Sequence, residues 1–205
     1  MASNPSSLAT PDHTHRIGPN AVLRVAEALS ALEGEVVRGR VFDHPSLAAY
    51  RDKLPEDMVP EAHVAALQAA LYDALPLARA RAVNREAGRL TGDYLLRRRI
   101  PRPLQPLLRH LPARYASRLL LKGIGRHTWT FAGSAKVEFA FGPPVRISLY
   151  GCPLCRNLSS VEPVCDYYAA TFERIYRDLV AARGRAREVA CQARGAPACV
   201  FEIRW

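Results

Sequence analysis

An α+β fold, with N-terminal helices packed on a later antiparallel sheet, is what the order of two periodicities predicts for this 205-residue chain. Apolar residues recur every three or four positions as far as Gly125, then alternate one by one from His127 onward. A third observation joins them: all five cysteines fall between positions 152 and 199, inside the alternating half. We read one domain over residues 20–205, helical over about 20–125 and carrying the sheet and a metal site over about 126–205, long enough to bury a real core.

Residues 1–19, rich in Ser, Pro, Thr and His, read as a disordered N-terminal tail. They lack the basic patch and apolar stretch of a secretory signal. Asn20 can cap a helix with Val22, Val25, Ala26, Leu29 and Leu32 on one stripe, stopped at Gly34. The segment from His44 to Pro60 is punctuated by proline and shows little period. Val64, Leu67, Leu71 and Leu75 mark a second helix closed by Pro76.

From Leu77 to Leu96 the positions Ala80, Val83, Ala87, Leu90 and Tyr94 form the strongest amphipathic seam in the chain. Gly88 and Gly92 share one face of it, where missing side chains let another helix approach. A basic elbow, Arg97-Arg98-Arg99-Ile100-Pro101-Arg102, then leads into leucine-rich helical turns through Leu121.

Beyond Gly125 three short strands are expected, over His127–Phe131, Val137–Phe141 and Val145–Leu149, each with apolar residues at every second position. A last helix runs from about Pro163 to Ala182, with Val164, Tyr168, Thr171, Phe172, Ile175 and Leu179 inward. Two final strands, near Ala186–Ala193 and Ala198–Trp205, close the domain as a hairpin around Gly195-Ala-Pro197.

The net charge of +10 is almost wholly arginine, since Lys53, Lys122 and Lys136 are the only lysines. Arginine serves acidic ligands, nucleic acids and anionic membranes alike, and composition does not choose among them. No run approaches the roughly 18–20 apolar residues that span a bilayer. With an odd cysteine count, reduced thiols in the cytoplasm are expected rather than disulfides.

Cys165, at the start of the last helix, joins Glu188, Cys191 and Cys199, spaced E-x2-C-x7-C, as a closed donor set suited to structural zinc. Glu188 and Cys191 are three apart and would face opposite sides of a regular strand, so a bulge or strand end is required. The competing set takes the Cys152-Pro-Leu-Cys155 pair with Cys191 and Cys199. A redox dithiol at Cys152 and Cys155, and cysteines packed simply as small hydrophobes, are the remaining readings.

The run Cys165-Asp-Tyr-Tyr-Ala-Ala-Thr-Phe172-Glu-Arg, the following Glu188-x2-Cys191 and the ending Gly-Ala-Pro-Ala-Cys199-x-Phe-Glu-Ile resemble the 4-vinyl reductase domain family. With Arg126-His127-Thr-Trp129-Thr-Phe-Ala-Gly and Ala87-Gly-Arg-Leu-Thr-Gly-Asp-Tyr94, the likeness covers residues 20–205 and points to the family's bacteriochlorophyll-biosynthesis branch. The resemblance implies an α+β fold related to small subunits of a vesicle-trafficking complex, commonly homodimeric, with a hydrophobic ligand pocket beside the zinc. It implies metal ligands at Cys165, Glu188, Cys191 and Cys199, the Cys, Glu, Cys, Cys set of phenol-sensing relatives. Cys152 and Cys155 have no counterpart there.

In this branch the implied ligand is a tetrapyrrole, divinyl protochlorophyllide or an earlier magnesium porphyrin. His127, Trp129, Phe131, Tyr168 and Phe172 are the candidates to meet it, with arginines for its propionates. Implied partners are other pathway enzymes such as the magnesium chelatase, with at most peripheral contact with the photosynthetic membrane and none with nucleic acid. Vinyl reduction needs a nicotinamide, flavin or iron–sulfur source. No strand leads into G-x-G-x-x-G, and Gly123-x-Gly125 ends a helix rather than beginning one. Three readings therefore stand: an accessory protein that binds the pigment and hands it on, a genuine 4-vinyl reductase with an external reductant, and a small-aromatic-ligand sensor.

Overall fold

The computed structural model describes residues 15–205. In chain order they form β1 (Arg16–Ile17), α1 (Asn20–Glu33), α2 (Glu35–Phe42), α3 (Ala49–Asp52), β2 (Val59–Pro60), α4 (Glu61–Ala74), α5 (Leu77–Arg98), α6 (Leu104–His110), α7 (Ala113–Gly125) and α8 (Trp129–Ala132). There follow β3 (Lys136–Ala140), β4 (Val145–Tyr150), α9 (Asp166–Leu179), β5 (Arg185–Ala190) and β6 (Cys199–Arg204), with short 3-10 turns at Pro45–Leu47 and Gln192–Arg194. Strands β3-β4-β6-β5, in that order, make one antiparallel sheet. The α+β class and the late meander are as the sequence predicts.

Helix α9 is the centre of the molecule. One side packs along α5 and the other covers β5 and β6. Its stripe of Tyr167, Tyr168, Thr171, Phe172, Ile175, Tyr176 and Leu179 is buried, and each large apolar side chain so removed from water contributes roughly 1.5–3 kcal/mol. Toward the sheet, Tyr168 and Phe172 stack on each other and meet Phe201 edge-on, with ring centroids 5.8 and 5.6 Å away.

Toward α5 the two helices touch through backbone, because Gly88 and Gly92 carry no side chain. A Cβ on Gly88 would stand 2.2 Å from the Tyr167 carbonyl oxygen, and one on Gly92 2.7 Å from the Arg174 side chain. The Thr171 hydroxyl donates to the Gly88 carbonyl at 3.0 Å across the seam. Helices α1, α2 and α4 cover the far side of α5 and one another, with Gln68 of α4 and Asn84 of α5 exchanging two buried amide bonds of 3.0 and 2.8 Å.

Three expectations are corrected. The tail does not extend to Pro19: Arg16–Ile17 pairs with Val59–Pro60, Ile17 is buried, and His15 Nδ1 lies 3.3 Å from Glu61, while residues 1–14, including His13, lie outside the described residues. Asn20 is not a cap; the helix begins one residue earlier on Pro19, with no side-chain bond. His127–Phe131 is not a strand. Trp129–Ala132 forms a helical turn closed by Gly133 at φ 58°, and the Thr130 carbonyl accepts from the Gly18 amide at 2.8 Å, where a sheet neighbour would otherwise bond.

Candidate metal centre

Four chain segments converge at the edge of the sheet. The β4–α9 connection brings Cys152 and Cys155, the start of α9 brings Cys165, the end of β5 brings Glu188 and Cys191, and the start of β6 brings Cys199. All five cysteines are buried and unbridged. Their neighbours explain the convergence. The Gln192 side chain accepts from the amides of Gly151 and Cys152 at 3.1 and 2.7 Å, which fixes the C-x2-C loop to the turn after Cys191. The Ser160 amide bonds the Ala193 carbonyl at 2.9 Å. From the other side, Tyr72 of α4 donates to the Val164 carbonyl at 2.8 Å, and Arg81 of α5 holds Asp166 at 2.8 Å, so both residues flanking Cys165 are tethered.

The requirement that Glu188 and Cys191 share a side is met by an irregularity in the strand. Glu188 pairs with Phe201 and Ala190 with Val200, so two steps on β5 oppose one on β6. The extra residue, Val189, turns outward. A bulge of this kind inverts the alternation beyond it, and Cys191 comes round to the face Glu188 occupies.

The donor atoms of Cys165, Glu188, Cys191 and Cys199 all lie within 4.8 Å of one another. Sulfur–sulfur distances are 3.8 Å for Cys165–Cys199 and 4.0 Å for Cys191–Cys199. A tetrahedron with metal–sulfur bonds of about 2.3 Å has edges of about 3.8 Å, so these spacings fit one ion. Glu188 Oε2 accepts from the Cys165 amide at 2.8 Å, whereas its Oε1 is buried with no hydrogen-bond partner. A buried carboxylate oxygen left alone is costly. A cation at the centre of the set would satisfy it.

Burial pushes the Cys165 thiol up, and burial likewise pushes the Glu188 carboxyl up against the opposing pull of the Cys165 amide. Both groups thus resist ionising on their own, and a dication supplies what the protein interior withholds. Cys165 also precedes the first turn of α9, where the helix dipole favours a thiolate.

The aromatic candidates divide. Tyr168 and Phe172 are buried in the core between α9 and the sheet, at 3% and 4% exposure. Phe131 is half-buried against both, with centroids 6.1 and 6.3 Å away, and its carbonyl accepts from the Tyr168 hydroxyl at 2.6 Å. His127 and Trp129 are exposed beside it at the α7–α8 corner. The space that borders Glu188 is not the apolar recess expected there. It holds about 250 Å³ and is lined by Arg81, Arg85, Asp166, Glu173 and Arg187, a size below the roughly 300–1,000 Å³ of ligand pockets.

Residues 145–205 match the 4-vinyl reductase domain, a stretch that contains β4, α9, β5, β6 and every cysteine. The chain is 41% identical over 194 residues to the bacteriochlorophyll synthase 23 kDa chain of Cereibacter sphaeroides, covering 94% of this chain and 92% of that one. It belongs to that family. A second member, from Rhodobacter capsulatus, is 33% identical over 95% of this chain and 90% of its own. The resemblance to 4-vinyl reductase domains is thus confirmed at the level of family.

Two solved structures share this fold. The phenol-responsive sensory domain of the transcription activator PoxR aligns with a TM-score of 0.51 at 17% identity, over 71% of this chain and 74% of that one. An H-NOX protein from S. oneidensis aligns with a TM-score of 0.50 at 10% identity, over 92% and 98%. No helix among the described residues is long and apolar enough to cross a membrane.

Proposed function

We propose that this protein serves bacteriochlorophyll biosynthesis as an accessory protein that binds a tetrapyrrole intermediate, divinyl protochlorophyllide or an earlier magnesium porphyrin, and assists its 4-vinyl reduction or hand-over. The observation that carries the reading is the 41% identity, sustained over 94% of the chain, to a protein named for bacteriochlorophyll synthesis. Structural zinc held by Cys165, Glu188, Cys191 and Cys199 belongs to the same proposal. The orphaned Glu188 oxygen and the tetrahedral spacing of the sulfurs support it.

Four protein donors leave a zinc ion no open position, which suits a staple rather than a Lewis acid. The pigment surface we assign is the α7–α8 corner. There the exposed Trp129 and His127 adjoin Phe131, whose ring rests edge-on against Tyr168 and Phe172. A flat macrocycle can stack on such a platform while Arg126 and Lys122 nearby in sequence meet its carboxylates.

The test is a titration of purified protein with divinyl protochlorophyllide, with and without NADPH. A stoichiometric shift in pigment absorbance without monovinyl product, weakened by Trp129→Ala, is the expected result. Turnover to the monovinyl pigment would replace the carrier by a reductase, and an unshifted spectrum would remove pigment binding altogether.

A further inference from the structure

The buried cysteines and Glu188 form two four-donor sets rather than one. Beside Cys165, Glu188, Cys191 and Cys199 stands Cys152, Cys155, Cys165 and Cys199, and in each set the donor atoms lie within 4.8 Å of one another. Cys165 and Cys199 belong to both. Two four-coordinate ions present eight ligand positions, and six side chains fill them when two thiolates bridge. We propose that the centre is binuclear: two zinc-class dications bridged by Cys165 and Cys199, one completed by Cys152 and Cys155, the other by Glu188 and Cys191. The inference rests on the metal reading above and extends it to the C-x2-C pair that the sensor-type ligand set leaves unused.

The distances have the connectivity of a bridged pair. Cys152 Sγ is 3.7 Å from Cys165 Sγ, Cys155 Sγ is 3.4 Å from Cys199 Sγ, the two shared sulfurs are 3.8 Å apart, and Cys191 Sγ is 4.0 Å from Cys199 Sγ. These values bracket the edge of about 3.8 Å that a tetrahedral thiolate site requires. The shared sulfurs are the two at the middle of the cluster, both fully buried.

Charge and placement agree with two ions. With one ion in the Glu188 set, Cys152 and Cys155, exposed by 1% and 2%, would remain as weak thiol donors packed on thiolates. As ligands they ionise, and five thiolates plus one carboxylate, six negative charges, meet four positive ones. The two charges left over face backbone N–H groups: the Gln192 amide points at Cys199 Sγ from 3.4 Å, and the N-terminus of α9 adjoins Cys165. The C-x2-C loop is also held without any ion, through the Gln192 side chain and the Gly151 and Cys152 amides, so the second set is largely preformed.

Full-length protein prepared in reducing buffer, loaded with zinc and passed over a chelating resin, tests this by native mass spectrometry, elemental analysis and X-ray absorption. Two ions per chain are expected, with seven sulfur contacts and one oxygen contact shared between them, against three and one for a lone ion in the Glu188 set. The double variant Cys152→Ser/Cys155→Ser should fall to one ion per chain. A wild type holding one ion, or a double variant with undiminished metal, overturns the binuclear centre and leaves the zinc staple standing. A wild type that retains none overturns both. The wild-type count and scattering shell decide the matter even if the variant does not fold.

Discussion

Gly88→Ala tests the seam on which the metal centre is mounted. The new methyl would sit 2.2 Å from the Tyr167 carbonyl oxygen and 2.9 Å from the Ala170 Cβ, both fixed parts of α9 that cannot rotate away. Overpacking of this sort costs about 1–3 kcal/mol, and a clash with backbone belongs at the upper end. Alanine's better helix propensity returns about 1 kcal/mol. The net loss is about 2 kcal/mol, and at about 2–4 °C per kcal/mol for a domain of this size Tm falls by about 4–8 °C. The Gly39→Ala variant is the control: Gly39 lies within α2 with nothing within 4 Å of its added Cβ, so the propensity gain acts alone and Tm rises by roughly 2–3 °C. Calorimetry of the three proteins at equal metal loading measures both. If Gly88→Ala melts at or above wild type while Gly39→Ala rises as expected, α5 and α9 are not in backbone contact and the packing argument fails.

Glu61 gives a pH prediction. Burial would raise its carboxyl, but hydrogen bonds from Arg156 and Ser134, with His15 adding, outweigh it and hold the group at about 2 against 4.5. Because the folded value is depressed, its contribution of about 3 kcal/mol is present above pH 4.5 and is lost as pH falls toward 2. Glu61→Gln should lower stability at neutral pH and flatten that acid limb in denaturant titrations; an unchanged limb would refute the assignment. Cys191→Ser should reduce bound zinc and midpoint together, since a structural ion's binding energy is folding energy; equal zinc in both proteins would contradict the ligand role. Tyr176→Phe removes a buried bond of 2.9 Å to Ser117 and should cost about 1–2 kcal/mol by urea unfolding. A loss under about 0.5 kcal/mol would mean water already serves Ser117.

Much of the scaffold was legible because its signals are local. The stripe from Ala80 to Tyr94 and the paired glycines specified α5 and its close neighbour, and strict alternation in Val145, Ile147 and Leu149 marked β4, whose residues are buried in the pattern read. Where the reading failed, distant partners decided. Alternation over His127–Phe131 is too short to distinguish a half-buried strand from a turn whose Phe131 swings onto Tyr168, and the bond from Gly18 to Thr130 comes from the far end of the chain. Helix α2 offered no stripe to read, since only Val41 and Phe42 of its residues are buried. At the cluster, spacing named every donor but not their neighbours. Cys152 and Cys155 were set with Cys191 and Cys199, whereas the fold sets them with Cys165 and Cys199, a pairing fixed by the path of the β4–α9 connection.

That path bears on what metal loss would do to the pigment surface. Cys165 begins α9, and three residues on, Tyr168 donates to the Phe131 carbonyl in the turn that displays Trp129 and His127. Without an ion, Cys165, Cys191 and Cys199 are joined only by weak sulfur contacts, and the bulged end of β5 is free to slip against β6. The first turn of α9 retains its tethers to α4 and α5 through Val164 and Asp166, so the helix should persist while its hold on the sheet loosens. Chelation is therefore expected to act first on the β5–β6 hairpin and on the Tyr168–Phe131 bond, and only afterwards on the α5–α9 seam. Hydrogen exchange on zinc-loaded and chelated protein distinguishes this order from global unfolding: amides of residues 185–204 should lose protection before those of 77–98. Simultaneous loss in both segments would mean that the staple holds the whole domain rather than its sheet edge.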